Sequence, residues 1–166
     1  MEEEQVKSTQ EKLQIEQQLK SGASWFYWIA GLSIINSILV ISRSDLTFII
    51  GLGITQIISG IGLVLEERIG SLGHIIAFVF CLIASGVFAM FGIFANKRHL
   101  WAFIVGMVLY ALDGLLFLIV QDWLSIGFHV FALVCIYSGL KAQNKLAQMQ
   151  ENPVQMAEEP EFSTVD

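Results

Sequence analysis

The chain has 166 residues, 55% hydrophobic and 14% charged, with a mean hydropathy of +0.66. Soluble domains of this size carry about 25% charged residues, so a single soluble globule is excluded. The formal charge of −6 comes mostly from two acidic ends, Glu2 to Glu4 and Glu151 to Asp166. With no basic surface to meet phosphates, nucleic acid is excluded as the expected ligand.

Residues 1 to 22 are polar and favour helix, but Leu13 and Ile15 point about 160° apart on a helical wheel, so this tail does not read as an amphipathic anchor. The Met-Glu-Glu-Glu start is acidic where a secretory signal is basic, so the first apolar run is expected to be retained. Five uncharged or nearly uncharged runs follow: Trp25 to Ile41, Leu46 to Leu65, Ile69 to Ala95, Leu100 to Val120 and Trp123 to Leu140. Runs of about 17 residues or more cross a hydrocarbon layer roughly 30 Å thick. The pattern therefore predicts an all-α integral membrane bundle of five spans in a cytoplasmic membrane. The short connectors Ser42 to Asp45 and Gln121 to Asp122 predict two tight helical hairpins joined by a middle helix.

Trp25, Trp28, Trp101 and Trp123 stand near span ends, where an indole keeps its ring in the interface and its N–H hydrated. Three parts are expected: a polar amino-terminal tail over residues 1–22, a membrane domain over 23–140, and a helical extension with a disordered acidic end over 141–166. An odd number of spans puts the two ends on opposite sides. Counted that way, Arg43, Lys97, Arg98, Lys141 and Lys145 face Lys12, Lys20 and Arg68, and the excess places the carboxyl end in the cytoplasm. A re-entrant segment is the competing topology and puts both ends there.

Shifting the chain by 77 residues aligns Phe26, Leu32, Leu39, Asp45, Gly62 and Leu63 with identical residues, and sets Asn36 opposite Asp113. On the five-span count, a true repeat of this kind is an inverted one, as in secondary transporters.

Small and polar residues mark where helix backbones approach in lipid. The second span has two such stripes, Gly51–Thr55–Ser59–Gly62 and Gly53–Gln56–Gly60, which predict a central helix packed on both sides. The third carries His74, Ala77, Cys81, Ser85, Ala89 and Gly92, and the first carries Ala30, Ser33 and Ser37 with Asn36 at the edge. Ala102, Gly106, Tyr110, Asp113 and Phe117 share a face of the fourth span. Ser125, His129, Ala132, Ile136 and Gly139 share a face of the fifth.

Asp113 is the one charged residue placed inside a span. Counting from the turn at Gln121 and Asp122, it lies level with His129, about eight residues or roughly 12 Å deep. Such a carboxyl is expected to be protonated, to pair with a protonated His129, or to bond with Tyr110, Asn36 or Gln56 from neighbouring helices. Those five residues form the candidate intramembrane polar site.

No cofactor and no metal ligand set is expected: His74 and Cys81 share a face two turns apart, too far to hold one ion. No serine nucleophile elbow, phosphate loop or zinc-protease motif is present in the sequence. The expected role is a non-enzymatic packing or interaction module, or an accessory subunit. The expected partners are the lipid bilayer and a second copy or another membrane protein. The alternative is a proton-linked transporter or channel subunit using the Asp113–His129 pair.

Overall fold

The structure, a computed structural model, describes residues 2–42 and 51–151. These residues fold into five α-helices: α1 (Glu2–Ile41), α2 (Gly53–Ile69), α3 (Leu72–Asn96), α4 (Leu100–Ile119) and α5 (Trp123–Glu151). Four of them, α1, α3, α4 and α5, are long and apolar enough to cross a membrane. The fifth expected span is not one of the four. α2 has 17 residues and begins at Gly53, seven residues after the expected start at Leu46. Residues 43–50, and the acidic end expected to be disordered from residue 152 on, lie outside the described residues.

Packing fixes the arrangement. α1 lies against α3 and α5, α4 against α5, and α2 along α3; smaller contacts join α3 to α4 and α2 to α1 and α4. α3 and α4 are joined by the short segment 97–99, and α4 and α5 by 120–122. Both turns close in the same way. Arg98 and Gln121 adopt left-handed backbone angles, φ 65° and 56°. The next N–H reaches back five residues (His99 to Phe94, Asp122 to Phe117, both 3.0 Å), and the left-handed residue's own N–H reaches back three. This is the Schellman closure, which satisfies the last carbonyls of a helix that is about to turn.

α1 and α5 are antiparallel. The Glu11 carboxylate meets Lys145 at 2.6 Å, and Gln18 donates to the Ser138 hydroxyl at 2.9 Å. Gly22 and Gly139 touch backbone to backbone, so a Cβ on either collides with the other helix. Ile15 and Leu19 of the polar tail bury against the bundle, as do Ala142 and Leu146. α1 runs without a break from Glu2 into the first apolar run, and its first half forms a two-helix stalk with the end of α5. Leu13 stays exposed while Ile15 is buried, in keeping with their opposed directions on the wheel.

The described ends of the chain lie at the same end of the bundle, whereas the five-span count sets them at opposite ends. α1 and α4 both run away from the stalk, and α3 and α5 run back toward it; α2 starts halfway along the bundle and runs to the far end. Its Gly62 sits at Ala77 and its Glu66 at His74, near the start of α3. Because α2 begins inside the bundle, the stalk helices finish side by side. The inverted repeat fails for the same reason. α1 and α4 are parallel while α2 and α5 are opposed, so no single rotation relates the halves.

The bundle interior divides into two halves along its length. Toward the stalk it is aromatic: Phe26 contacts Phe91 and Phe103, and Phe88 contacts Phe91 and Tyr110. Toward the far end the buried residues are largely polar: Ser33, Asn36, Ser37, Thr55, Ser59, Ser85, Asp113, Ser125 and His129. The stripes expected on α1, α3, α4 and α5 face inward almost without exception. α2 differs. Thr55, Ser59 and Gly62 pack on α3, but Gln56 is only half-buried and Gly60 faces open space, so this helix is packed on one side and not on two. Trp28 and Trp123 are exposed, near the stalk end and at the far end respectively, as interface anchors should be.

Candidate functional site

Asp113 is 7% exposed and His129 3%. The depth match read from the sequence brings them into contact: His129 Nε2 lies 3.1 Å from Asp113 Oδ2. The principal partners of the carboxylate are others. The backbone N–H of Gly53 donates to Oδ2 at 2.6 Å, and that of Ile54 to Oδ1 at 2.8 Å. These belong to the first turn of α2, whose N–H groups have no partner within the helix. A carboxylate there satisfies two of them and meets the positive end of the helix dipole. Hydrogen bonds to a charged group contribute about 1.5–3 kcal/mol each.

Two glycines make this approach feasible. A Cβ at Gly53 would stand 2.8 Å from the Phe117 ring and 3.3 Å from the Asp113 carbonyl oxygen, so only a bare backbone lets α2 start against α4. A Cβ at Gly114 would stand 3.1 Å from the His129 ring. The residue just before α2 is fixed as firmly. Leu52 N–H donates to Ser33 Oγ at 2.8 Å, while that hydroxyl donates to the Ile29 carbonyl at 2.8 Å. The Thr55 hydroxyl donates to the Leu52 carbonyl at 2.7 Å, and the Cys81 thiol to the Thr55 carbonyl at 3.4 Å. The start of α2 is thus held by α1, α3 and α4 together.

The proton inventory of the pair follows from its contacts. His129 Nδ1 lies 2.8 Å from the Ser125 carbonyl oxygen. A carbonyl only accepts, so Nδ1 carries a proton. The Nε2–Oδ2 contact then requires a second proton, because both atoms are otherwise acceptors. Whether that proton sits on nitrogen or on oxygen, the pair has no net charge, which is the condition under which a buried acid and base are tolerable in an apolar medium.

Of the other expected members, Tyr110 stacks on His129 with ring centroids 4.3 Å apart, and does not bond to the carboxylate. Phe117 covers the imidazole at 5.0 Å. Asn36 is buried on α1, one turn beyond Ser33, and Gln56 is half-buried on α2; among the described residues no hydrogen bond joins either to Asp113. The sequence places Gly53 and Ser33 on small-residue stripes but assigns neither of them, nor Ile54, to the site. A further signal is the Gly51–Leu52–Gly53 triplet inside an apolar run.

Two further carboxylates stand at the far end. Glu66 Oε2 lies 2.7 Å from His74 Nε2 across the α2–α3 turn, so this histidine is not simply solvated. Asp122 begins α5 by accepting from the Ser125 hydroxyl at 2.6 Å and the Ser125 N–H at 3.2 Å. The Ser125 hydroxyl bond, opposed by desolvation and helped by the N–H groups of Ser125 and Leu124, holds the Asp122 carboxyl below its ordinary value of 3.8.

No protein-family model matches this chain, and neither a curated protein nor a solved structure does.

Proposed function

We propose that this chain is a multi-pass protein of a cytoplasmic membrane, with four crossing helices and α2 as a re-entrant fifth, acting as a non-enzymatic interaction module or accessory subunit. Both polar ends face the cytoplasm in this reading. Its support is the distribution of basic residues once the helix directions are known. Lys7, Lys12, Lys20, Lys97, Arg98, Lys141 and Lys145 gather at the stalk end and Arg68 at the other, so seven of the eight basic residues in the described segments fall on one side. The stalk is the surface offered to a soluble or membrane partner.

The observation that carries a structural role for Asp113 is the pair of α2 N–H groups on its two oxygens. A carboxylate so engaged holds a re-entrant helix in place. The test is proton flux in proteoliposomes. The wild-type protein and Asp113→Asn are expected to leak no faster than protein-free vesicles, with the variant less heat-stable. A flux that Asp113→Asn abolishes while the protein stays folded overturns this reading in favour of a proton-linked transporter or channel subunit. The 3.1 Å contact between His129 Nε2 and Asp113 Oδ2 is the observation on that side.

A further inference from the structure

Three buried polar atoms in the bundle have no hydrogen-bond partner among the described residues: Asn36 Oδ1, Ser85 Oγ and Tyr110 OH. Each residue is more than nine-tenths buried. They come from three helices, and each stands about one helical turn from a residue that grips the start of α2. Asn36 follows Ser33, which holds the Leu52 N–H. Ser85 follows Cys81, which holds the Thr55 carbonyl. Tyr110 precedes Asp113, which holds Gly53 and Ile54, and its ring lies on His129. A polar atom taken out of water without a replacement partner is costly, and such atoms are where internal water is bound.

We infer that the inner end of α2 borders a hydrated proton-binding site, in which Asn36, Ser85 and Tyr110 hold water beside the Asp113–His129 pair. Its ligands are water and the proton, not an ion with its own counter-charge, because the pair is already neutral. The other groups facing it are the Cys81 thiol from α3 and hydroxyls from α1 and α2; among the described residues no charged side chain from α1, α2 or α3 faces it. Access is from the far end, along the polar half. Ser125 stands between His129 and Asp122 of the α4–α5 turn. The rings of Phe26, Phe88, Phe91 and Phe103 close the way to the stalk. An exchange step balances within the site: one water O–H bond breaks as its proton bonds to the pair, and the pair's own bond to its proton breaks as that proton bonds to the same water oxygen, so two bonds break, two form and no net charge is left.

The inference goes beyond the structural role proposed for Asp113, and hydroxyl-radical footprinting of the full chain in lipid nanodiscs tests it. Phe26, Phe103 and Tyr110 are all fully buried, so solvent exposure predicts equal protection for the three. Internal water instead predicts that Tyr110 is oxidised several-fold faster than the two phenylalanines. In Tyr110→Phe the comparison is ring for ring, and the new ring is again expected to react faster than Phe26. Equal protection at position 110 in both proteins overturns the inference. The outcome is independent of the flux assay: a wet site without flux leaves the accessory-subunit reading standing, and flux with a dry site overturns both.

Discussion

The two halves of the bundle interior are built on different physics. Toward the stalk, rings fill the space, and Gly106 accepts the Phe26 ring where a Cβ would stand 2.5 Å from it. Contacts there are numerous and individually small, and each ring is held by its neighbours' shape. Toward the far end, few atoms hold a great deal: a carboxylate, a serine hydroxyl and a thiol fix a helix that starts in the interior. Lipid gives no hydrophobic reward for helix association, so the aromatic half coheres by close packing and the polar half by directed bonds. The second arrangement is specific but brittle, since removing one partner leaves the others stranded.

Substitution should separate the halves. Asp113→Ala strands Gly53, Ile54 and His129 at once and is expected to cost about 3–5 kcal/mol, the range for breaking a buried pair. Phe26→Ala leaves a cavity and is expected to cost a similar ~3–5 kcal/mol. Hydrogen exchange distinguishes them. The aspartate change should release α2 first, with α1 and α5 still protected, whereas the phenylalanine change should loosen α1, α3 and α4 together. Uniform loosening in both would abolish the distinction between the halves.

A smaller effect probes the polar half alone. Ser33→Ala removes the acceptor of the Leu52 N–H and should cost about 1–3 kcal/mol, the penalty for one buried unsatisfied donor, read as a lower melting temperature in detergent. No change would mean that Leu52 is not held there.

At the rim, Asp122→Ala should cost about 1 kcal/mol as a lost helix cap. Because the folded-state carboxyl titrates below its ordinary 3.8, its contribution is complete above that value and declines as the pH falls further. The stability difference between wild type and Asp122→Ala should therefore be constant near neutrality and shrink in acid. A difference that grows in acid would assign the cap elsewhere.

Much of this was legible in the sequence. The helical rise counted from the Gln121–Asp122 turn put His129 at the depth of Asp113, because a two-residue turn leaves little freedom of register. The inward faces of α4 and α5 followed from period alone. What stayed hidden was the break before Gly53. Hydropathy runs unbroken from Leu46 to Leu65, and the groups that make a start possible there, Ser33 and Asp113, are 19 and 60 residues away in the chain from the N–H groups they hold. Missing that break made the span count odd, and the odd count set the two described ends of the chain at opposite ends of the bundle. Gln56 is a related case: a polar residue on a helical stripe reads as inward, but α2 packs mainly on α3, with smaller contacts to α1 and α4, and Gln56 is half-buried.

The bond between Gly53 and Asp113 also orders biogenesis. In the membrane reading proposed above, amide groups that enter a lipid phase need an acceptor, yet the acceptor for these two lies 60 and 59 residues later in the chain. Until α4 has been released from the translocation machinery, the beginning of α2 has no resting place. The second helix to be made is thus among the last to settle, and a nascent chain halted before α4 would carry it unanchored.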